Sequence, residues 1–252
     1  MSALLSLLLS LVLGGPELSN VAWEPVPPRV SLLDVVDEPE VWLGERITFV
    51  GQVRGSLDTW EGFVTPFQSS RHHGLTLWPD ESLLWQREAY DAPGLPVFVP
   101  RQGRWAARSQ ALRPHERVLM TGRVRSCLGG RPWIEIERVI RTREHVPEGS
   151  VLHAIRAAEL VRKGAVDLAR AEALRALAAP LPAAPRGHLQ AFERSCGRLL
   201  ERLERGWRPG TGELTRQHRA ILALLQDGAP SAASASWRRR LGGVAPPGAP
   251  LR

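Results

Sequence analysis

Lysine is almost absent from this 252-residue chain, since Lys163 is the only lysine among 33 basic residues. Cysteine is scarce as well. The chain has two cysteines and no Cys-x-x-C spacing, so neither zinc binding nor thioredoxin-like chemistry is indicated. The sequence also lacks the Gly-x-x-x-x-Gly-Lys, Gly-x-Ser-x-Gly and His-Glu-x-x-His patterns of phosphate loops, serine hydrolases and zinc hydrolases. We therefore predict a protein that is not an enzyme, with no catalytic residue, no cofactor and no metal site.

The formal net charge of +7 is unevenly distributed along the chain. Residues 30–149 sum to −1, whereas residues 150–252 carry +9. Within the first of these regions the acidic groups precede the basic ones, and residues 101–143 carry +8. A charge separation of this kind is a weaker nucleic-acid signal than a uniformly basic domain. A single-stranded nucleic-acid-binding protein that uses the segment 101–143 stays open as the alternative function.

The N-terminus carries the one long apolar stretch, Ala3–Leu13, which contains no charged residue and is followed by two glycines. Its length fits the apolar core of a secretory signal peptide and falls short of the roughly 20 residues that span a bilayer. No Lys or Arg precedes it, so only the terminal amine supplies the usual positive charge. We predict that residues 1–22 are a signal peptide and that the protein is exported, without a transmembrane span. If this is instead an uncleaved N-terminal hydrophobic segment, the protein stays in the cytoplasm.

Two matched segments, Glu45–Gly55 and Glu116–Ser126, share the frame Glu-Arg-(Val/Ile)-x-x-x-Gly-x-Val-Arg. In both, apolar side chains alternate with mixed ones around the central glycine, as in a strand of a sheet that is packed on one side only. The second segment leads through a glycine-bearing turn into Trp133–Ile140, which is typical of a hairpin. These patterns predict a small, curved β-barrel.

In order, these pieces resemble the oligonucleotide/oligosaccharide-binding (OB) fold, a five-stranded barrel. The resemblance is carried by Leu43–Arg54 as the first strand, Leu112–Arg125 as the fourth and Pro132–Glu137 as the fifth. No helix is evident between the third and fourth strands, where this family often has one. The remaining strands are expected at Trp60–Gln68 (second) and Leu75–Trp78 (third), with a further short strand at Val97–Val99.

The resemblance implies a binding surface on the second and third strands and on the connections between strands 1 and 2 and between strands 4 and 5. Aromatic rings there could stack on bases or sugar rings, with arginines beside them. A small barrel can equally bury such rings to enlarge its core, and this alternative stays open. The candidate ligand-binding residues are Gln52, Arg54, Trp60, Phe63, Phe67, Arg123, Arg125 and Arg131.

From Ser150, a predicted helix N-cap, the apolar spacing becomes helical, and Gly164 and Pro180 predict the ends of two helices. The run Arg162–Pro180 resembles one tetratricopeptide (TPR) unit. Because such units need roughly three copies to bury their apolar faces, this one must pack on something else. Two further predicted helices, 187–205 and 212–227, are the candidates.

The predicted protein is therefore α+β. The expected function is an exported, non-enzymatic binding or scaffolding module of the bacterial cell envelope, with a protein or glycan partner. In an exported protein Cys127 and Cys196 could form a disulfide, although two separate thiols are equally consistent with the sequence. An enzyme that uses the long connection 79–110 as a lid has only that length in its favour. The predicted organisation is a signal peptide or N-terminal hydrophobic segment (1–22), a proline-rich linker (23–40), an OB-like barrel (41–145), an α-helical domain that is a TPR-like hairpin or a short bundle (150–228), and a disordered basic tail (229–252).

Overall fold

The computed structural model describes residues 27–58, 60 and 65–226. The predicted signal peptide, the candidate ligand residue Phe63 and the predicted tail 229–252 lie outside these residues. The described chain is α+β, as predicted. Its strands are β1 Arg46–Leu57, β2 His72–Pro79, β3 Leu95–Pro100, β4 Arg117–Ser126 and β5 Trp133–Arg141, and its helices are α1 Leu32–Asp37, α2 Arg87–Tyr90, α3 Ala106–Gln110, α4 Glu148–Arg162, α5 Val166–Ala176, α6 Ala183–Glu204 and α7 Thr211–Gln226.

The five strands form one mixed sheet that closes on itself in the order β1–β2–β3–β5–β4. Neighbouring strands are antiparallel except for β3 and β5, which are parallel. The two matched segments of the sequence are the adjacent strands β1 and β4, with Phe49 opposite Met120 and Gly51 opposite Val118. Because side chains alternate along a strand, Ile47 and Phe49 both point into the core and are fully buried.

In place of the predicted linker, residues 27–42 pack against the barrel. Helix α1 begins after Ser31, whose hydroxyl accepts a hydrogen bond from the Leu33 amide and so caps the helix. Its apolar side chains Leu32, Val35 and Val36 join the barrel core. Pro27 and Pro28 therefore precede a packed helix, and Pro39 follows it.

Two elements between β1 and β4 differ from the predictions. The second strand is His72–Pro79, which contains the segment expected as the third strand, and Trp60 and Phe67 instead belong to the connection between β1 and β2. The short strand expected at Val97–Val99 is part of β3. Helix α3 lies between β3 and β4, where the sequence shows no evident helix.

The four helices that follow the barrel confirm the helical prediction, with small changes at their ends. Helix α4 begins at Glu148, so Ser150 lies inside its first turn and is not the N-cap. The Ser150 hydroxyl instead donates to the carbonyl oxygen of Ala176 at 2.9 Å, which ties the start of α4 to the end of α5. Gly164 turns the chain between these helices at a φ of +81°, a conformation that favours glycine.

The barrel and the helices share a buried cluster. Trp78 of β2 and Leu84 and Trp85 of the following connection belong to it, together with Phe192 and Leu225 of the helical region. The barrel is therefore covered on part of its outer surface, and the prediction of a sheet packed on one side only does not hold there. No helix in the described part of the chain is long and apolar enough to cross a membrane.

Candidate functional site: the aromatic face of the barrel

A row of aromatic rings lies across the outer surface of β2, β3 and β5. Phe98 of β3 is its centre, with the Trp60 ring 5.1 Å away edge-on and the Trp133 ring 5.7 Å away on the other side. Trp60 lies over Gly74 of β2, where an added Cβ would come within 3.0 Å of the indole ring. Glycine at this position therefore leaves room for the Trp60 side chain against the strand.

Phe67 packs against the central ring of this row. Its ring stacks on Phe98 with centroids 4.4 Å apart, and its carbonyl oxygen accepts a hydrogen bond of 2.8 Å from Trp60 Nε1. Phe67 is 3% exposed, so it is part of a small hydrophobic cluster, while Trp60 is only partly buried. Of the two predicted aromatic ligand residues that the structure describes, Trp60 is therefore the one that presents ring surface to solvent.

Charged side chains beside the aromatic row occur as pairs. Arg125 of β4 contacts Glu135 of β5 through its Nε at 2.7 Å, and His72 Nε2 lies 3.4 Å from the other oxygen of the same carboxylate. The His72 ring in turn packs edge-on against Phe67 at 5.0 Å. The positive charge of Arg125, one of the candidate ligand-binding residues, is thus compensated by the carboxylate of Glu135.

A second arginine of the predicted patch has the same kind of neighbour. Arg123 donates to the carbonyl oxygen of Gly44 at 2.8 Å, and its Nε lies 3.9 Å from Glu137, which also pairs with Arg46 at 2.7 Å. Two carboxylates on β5 therefore compensate the charges of Arg123 and Arg125. The local potential on this surface is lower than a count of arginines indicates.

Three candidate ligand-binding residues remain, namely Gln52, Arg54 and Arg131. Gln52 is fully buried, opposite Trp78 and Arg117 in the adjacent strands, so the prediction that it faces a ligand is not supported by its position. Arg54 is half-buried at a bulge of β1. Arg131 follows the turn between β4 and β5, and burial lowers the pKa of its guanidinium below the ordinary value.

Three residues that complete the site were not among the predicted ones: Phe98, Trp133 and Glu135. A signal for two of them is present in the sequence, because Trp133, Glu135 and Glu137 alternate with Ile134 and Ile136 and so share the outer face of β5. Phe98 carries no such signal, since its strand is short and contains prolines at its second and last positions.

The two cysteines lie in different parts of the molecule, and both are free thiols. Cys127 Sγ donates to the carbonyl oxygen of Pro39 at the barrel. Cys196 belongs to the buried helical cluster, where burial raises the pKa of its thiol to about 12. The structure does not bring them together, so the possible disulfide is absent. Among the described residues no group of three His, Cys, Asp or Glu side chains could hold a metal ion.

Comparison of the sequence with known protein families and with curated proteins finds no match.

Proposed function

We propose that this protein is an exported, non-enzymatic binding module of the bacterial cell envelope, built on an OB-like barrel, and that its ligand is a glycan. The observation that carries the proposal is the partly exposed ring of Trp60, which packs on the buried rings of the Phe98 and Trp133 cluster, with a compensated Arg125–Glu135 pair beside it. Flat rings offer a surface on which sugar rings stack, and paired charged groups supply donors and acceptors for hydroxyl groups without a net potential.

The barrel topology supports the choice of this face. The strand order β1–β2–β3–β5–β4, with a short helix between β3 and β4, supports the assignment of an OB-like barrel. Such barrels bind oligonucleotides and oligosaccharides on strands 2 and 3 and on the connections between strands 1 and 2 and strands 4 and 5. Trp60 lies in the first connection and Arg131 in the second.

The charge pairing favours a glycan over a nucleic acid. A strand of phosphates requires uncompensated positive charge, which makes binding steeply dependent on salt. Here Glu135 and Glu137 lie among the arginines of the same surface. Export is supported by the apolar segment Ala3–Leu13, whose length fits a signal peptide. A glycan of the envelope is a ligand that an exported module can reach.

Two measurements test this proposal. The first is N-terminal sequencing and fractionation of the protein made from the full-length gene. Export predicts a mature N-terminus near residues 15–23 and recovery outside the cytoplasm. Recovery of the uncleaved chain in the cytoplasm would overturn this part of the proposal.

The second measurement is a titration of the protein with soluble peptidoglycan fragments and, separately, with a labelled single-stranded oligonucleotide. We expect saturable glycan binding that changes little with salt and that weakens about tenfold in Trp60→Ala, the effect of losing one stacking ring. Trp207→Ala, at a partly buried tryptophan of the helical region, is the matched control. Absence of glycan binding, together with salt-sensitive binding of the oligonucleotide, would replace this function by the nucleic-acid alternative.

A further inference from the structure

A groove of about 850 Å³ lies where the β2–β3 connection meets helices α4 and α7. The connection supplies one wall, through Trp85 and the short helix α2, and α4 supplies the other. The groove shares no residue with the aromatic face. Its volume is within the range of about 300–1,000 Å³ that is typical of ligand sites.

The groove combines exposed apolar side chains with negative charge. Leu152, Ile155 and Tyr90 line it and are 47%, 37% and 36% exposed, which is high for large hydrophobic residues. Four carboxylates and two guanidinium groups also line it, a formal charge of −2. One of those guanidiniums, Arg87, is paired with Asp91 at 3.2 Å. The surface therefore fits a segment with large apolar side chains next to arginines.

The chain itself supplies such a segment. Helix α7 ends at Gln226, which lines the groove, so residues 227–252 start at its edge. Eleven residues later the sequence reads Trp237-Arg-Arg-Arg-Leu241. It is the part of the chain beyond Gln226 that places large apolar side chains beside a cluster of arginines.

The chain between Gln226 and Trp237 is long enough to bring the Trp237–Leu241 segment to the groove. Residues 227–236 can span up to roughly 33 Å when extended, which exceeds what is needed to return to a groove that begins at Gln226. A short tether also gives its end an effective concentration in the millimolar range, so that even a weak contact is largely occupied.

We infer that the segment Trp237–Leu241 binds in this groove of the same molecule, with the apolar side chains on Leu152 and Ile155 and the arginines facing Glu88, Glu148 and Glu159. The groove is then an internal docking site, occupied in cis, and any partner that uses the same surface has to displace the segment. The inference is independent of the glycan site, because neither its residues nor its test involve the aromatic face.

Disulfide trapping in the full-length chain tests the inference. In a Cys127→Ser background, which leaves only the buried Cys196, one variant carries Leu152→Cys with Leu241→Cys. The matched control carries Leu168→Cys, at a residue of α5 that is 55% exposed and lies outside the groove, with the same Leu241→Cys. The rate of disulfide formation under mild oxidation is followed by the mobility of the monomer on a non-reducing gel.

We expect the intramolecular disulfide to form about tenfold faster in the groove pair than in the control pair, because docking raises the local concentration of the two thiols. Replacing Arg238, Arg239 and Arg240 by Ser in the groove pair, or raising the salt concentration, should reduce that advantage. Equal rates for the two pairs would overturn the inference. Disulfide-linked dimers in place of the intramolecular product would also overturn it, since they would show that the segment binds a second copy.

Discussion

The indole nitrogen of Trp85 donates a hydrogen bond of 3.1 Å to the carbonyl oxygen of Leu225, a residue 140 positions later in the chain. Leu225 lies at the end of the described part of α7. Gln86 Nε2 donates to the same oxygen at 3.0 Å. A connection of the barrel is therefore hydrogen-bonded to the last helix of the described residues.

Trp85→Phe should lower the free energy of unfolding by about 1 kcal/mol, because the ring stays and only the donor is lost. Trp85→Ala should cost about 3–5 kcal/mol, since it also empties a buried position. Urea denaturation followed by circular dichroism measures both. Trp207→Phe is the control, at a partly buried ring that Arg202 covers at 3.8 Å. If the two Phe variants lost equal stability, the hydrogen bond from Trp85 to Leu225 would make no contribution of its own.

Gly122 is the central glycine of the second matched segment, and it lies where the structure leaves no room for a side chain. An added Cβ would lie 2.5 Å from the carbonyl oxygen of Glu135 and 3.0 Å from the side chains of Ile134 and Ile136. We expect Gly122→Ala to destabilise the barrel by about 1–3 kcal/mol or more, as overpacking does. Gly55→Ala, at a glycine of β1 with open space around it, should change stability much less in the same denaturation experiment. Equal losses of stability in the two variants would contradict the explanation by overpacking at Gly122.

The elements that the sequence predicts well are those specified by local patterns. Alternation around Gly51 and Gly122 predicts β1 and β4, and helical spacing predicts the four helices after residue 147. The sequence predicts the second strand too early because Trp60–Gln68 has aromatic alternation, whereas Trp60 and Phe67 lie in the connection between β1 and β2. Ser31 caps helix α1, but the prolines before it favour an extended linker. The sequence therefore does not predict this helix.

The candidate site depends on contacts between distant residues, and so less of it could be predicted. The sequence predicts Trp60 and Arg125 because the strand patterns and the resemblance to an OB fold place them on the outer surface. Their partners Phe98 and Glu135 become part of the site only when β3 and β5 pair, as they do at Phe98 and Glu135 themselves. Gln52 was expected to face outward because the strand pattern cannot show that the helical region covers the barrel beside Trp78.

Gln52 leads to a third prediction, because its side-chain amide is fully buried and neither Nε2 nor Oε1 has a hydrogen-bond partner in the described part of the chain. A buried amide without partners costs roughly 1–3 kcal/mol relative to an apolar group of the same shape. We therefore expect Gln52→Met to raise the free energy of unfolding by about 1 kcal/mol. Gln86→Met is the matched control and should lower it, since the Gln86 amide donates to Leu225. A loss of stability in Gln52→Met would show that the amide has a partner after all.

His115 lies where the barrel meets the helical region and is 7% exposed. Its Nδ1 is 3.2 Å from the carbonyl oxygen of Val146, and its ring packs against Trp78 at 5.3 Å. Burial lowers the pKa of His115 below its ordinary value of 6.5, while the contact with Val146 and the charge of Glu148 act in the opposite direction. The folded protein therefore favours the neutral ring.

This shift makes stability dependent on pH in a defined direction. Because the folded pKa is the lower one, the contribution of His115 is complete above pH 6.5 and is lost as the pH falls through the folded pKa. The free energy of unfolding should decrease from about pH 8 to pH 5, and it should decrease less steeply in His115→Asn. Asparagine suits this position because His115 has a φ of +70°, a left-handed conformation that asparagine adopts readily. The comparison is made by urea denaturation at several pH values. If the plots of unfolding free energy against pH are parallel for the two proteins, another group binds the proton responsible. If the plots converge toward low pH, His115 is that group.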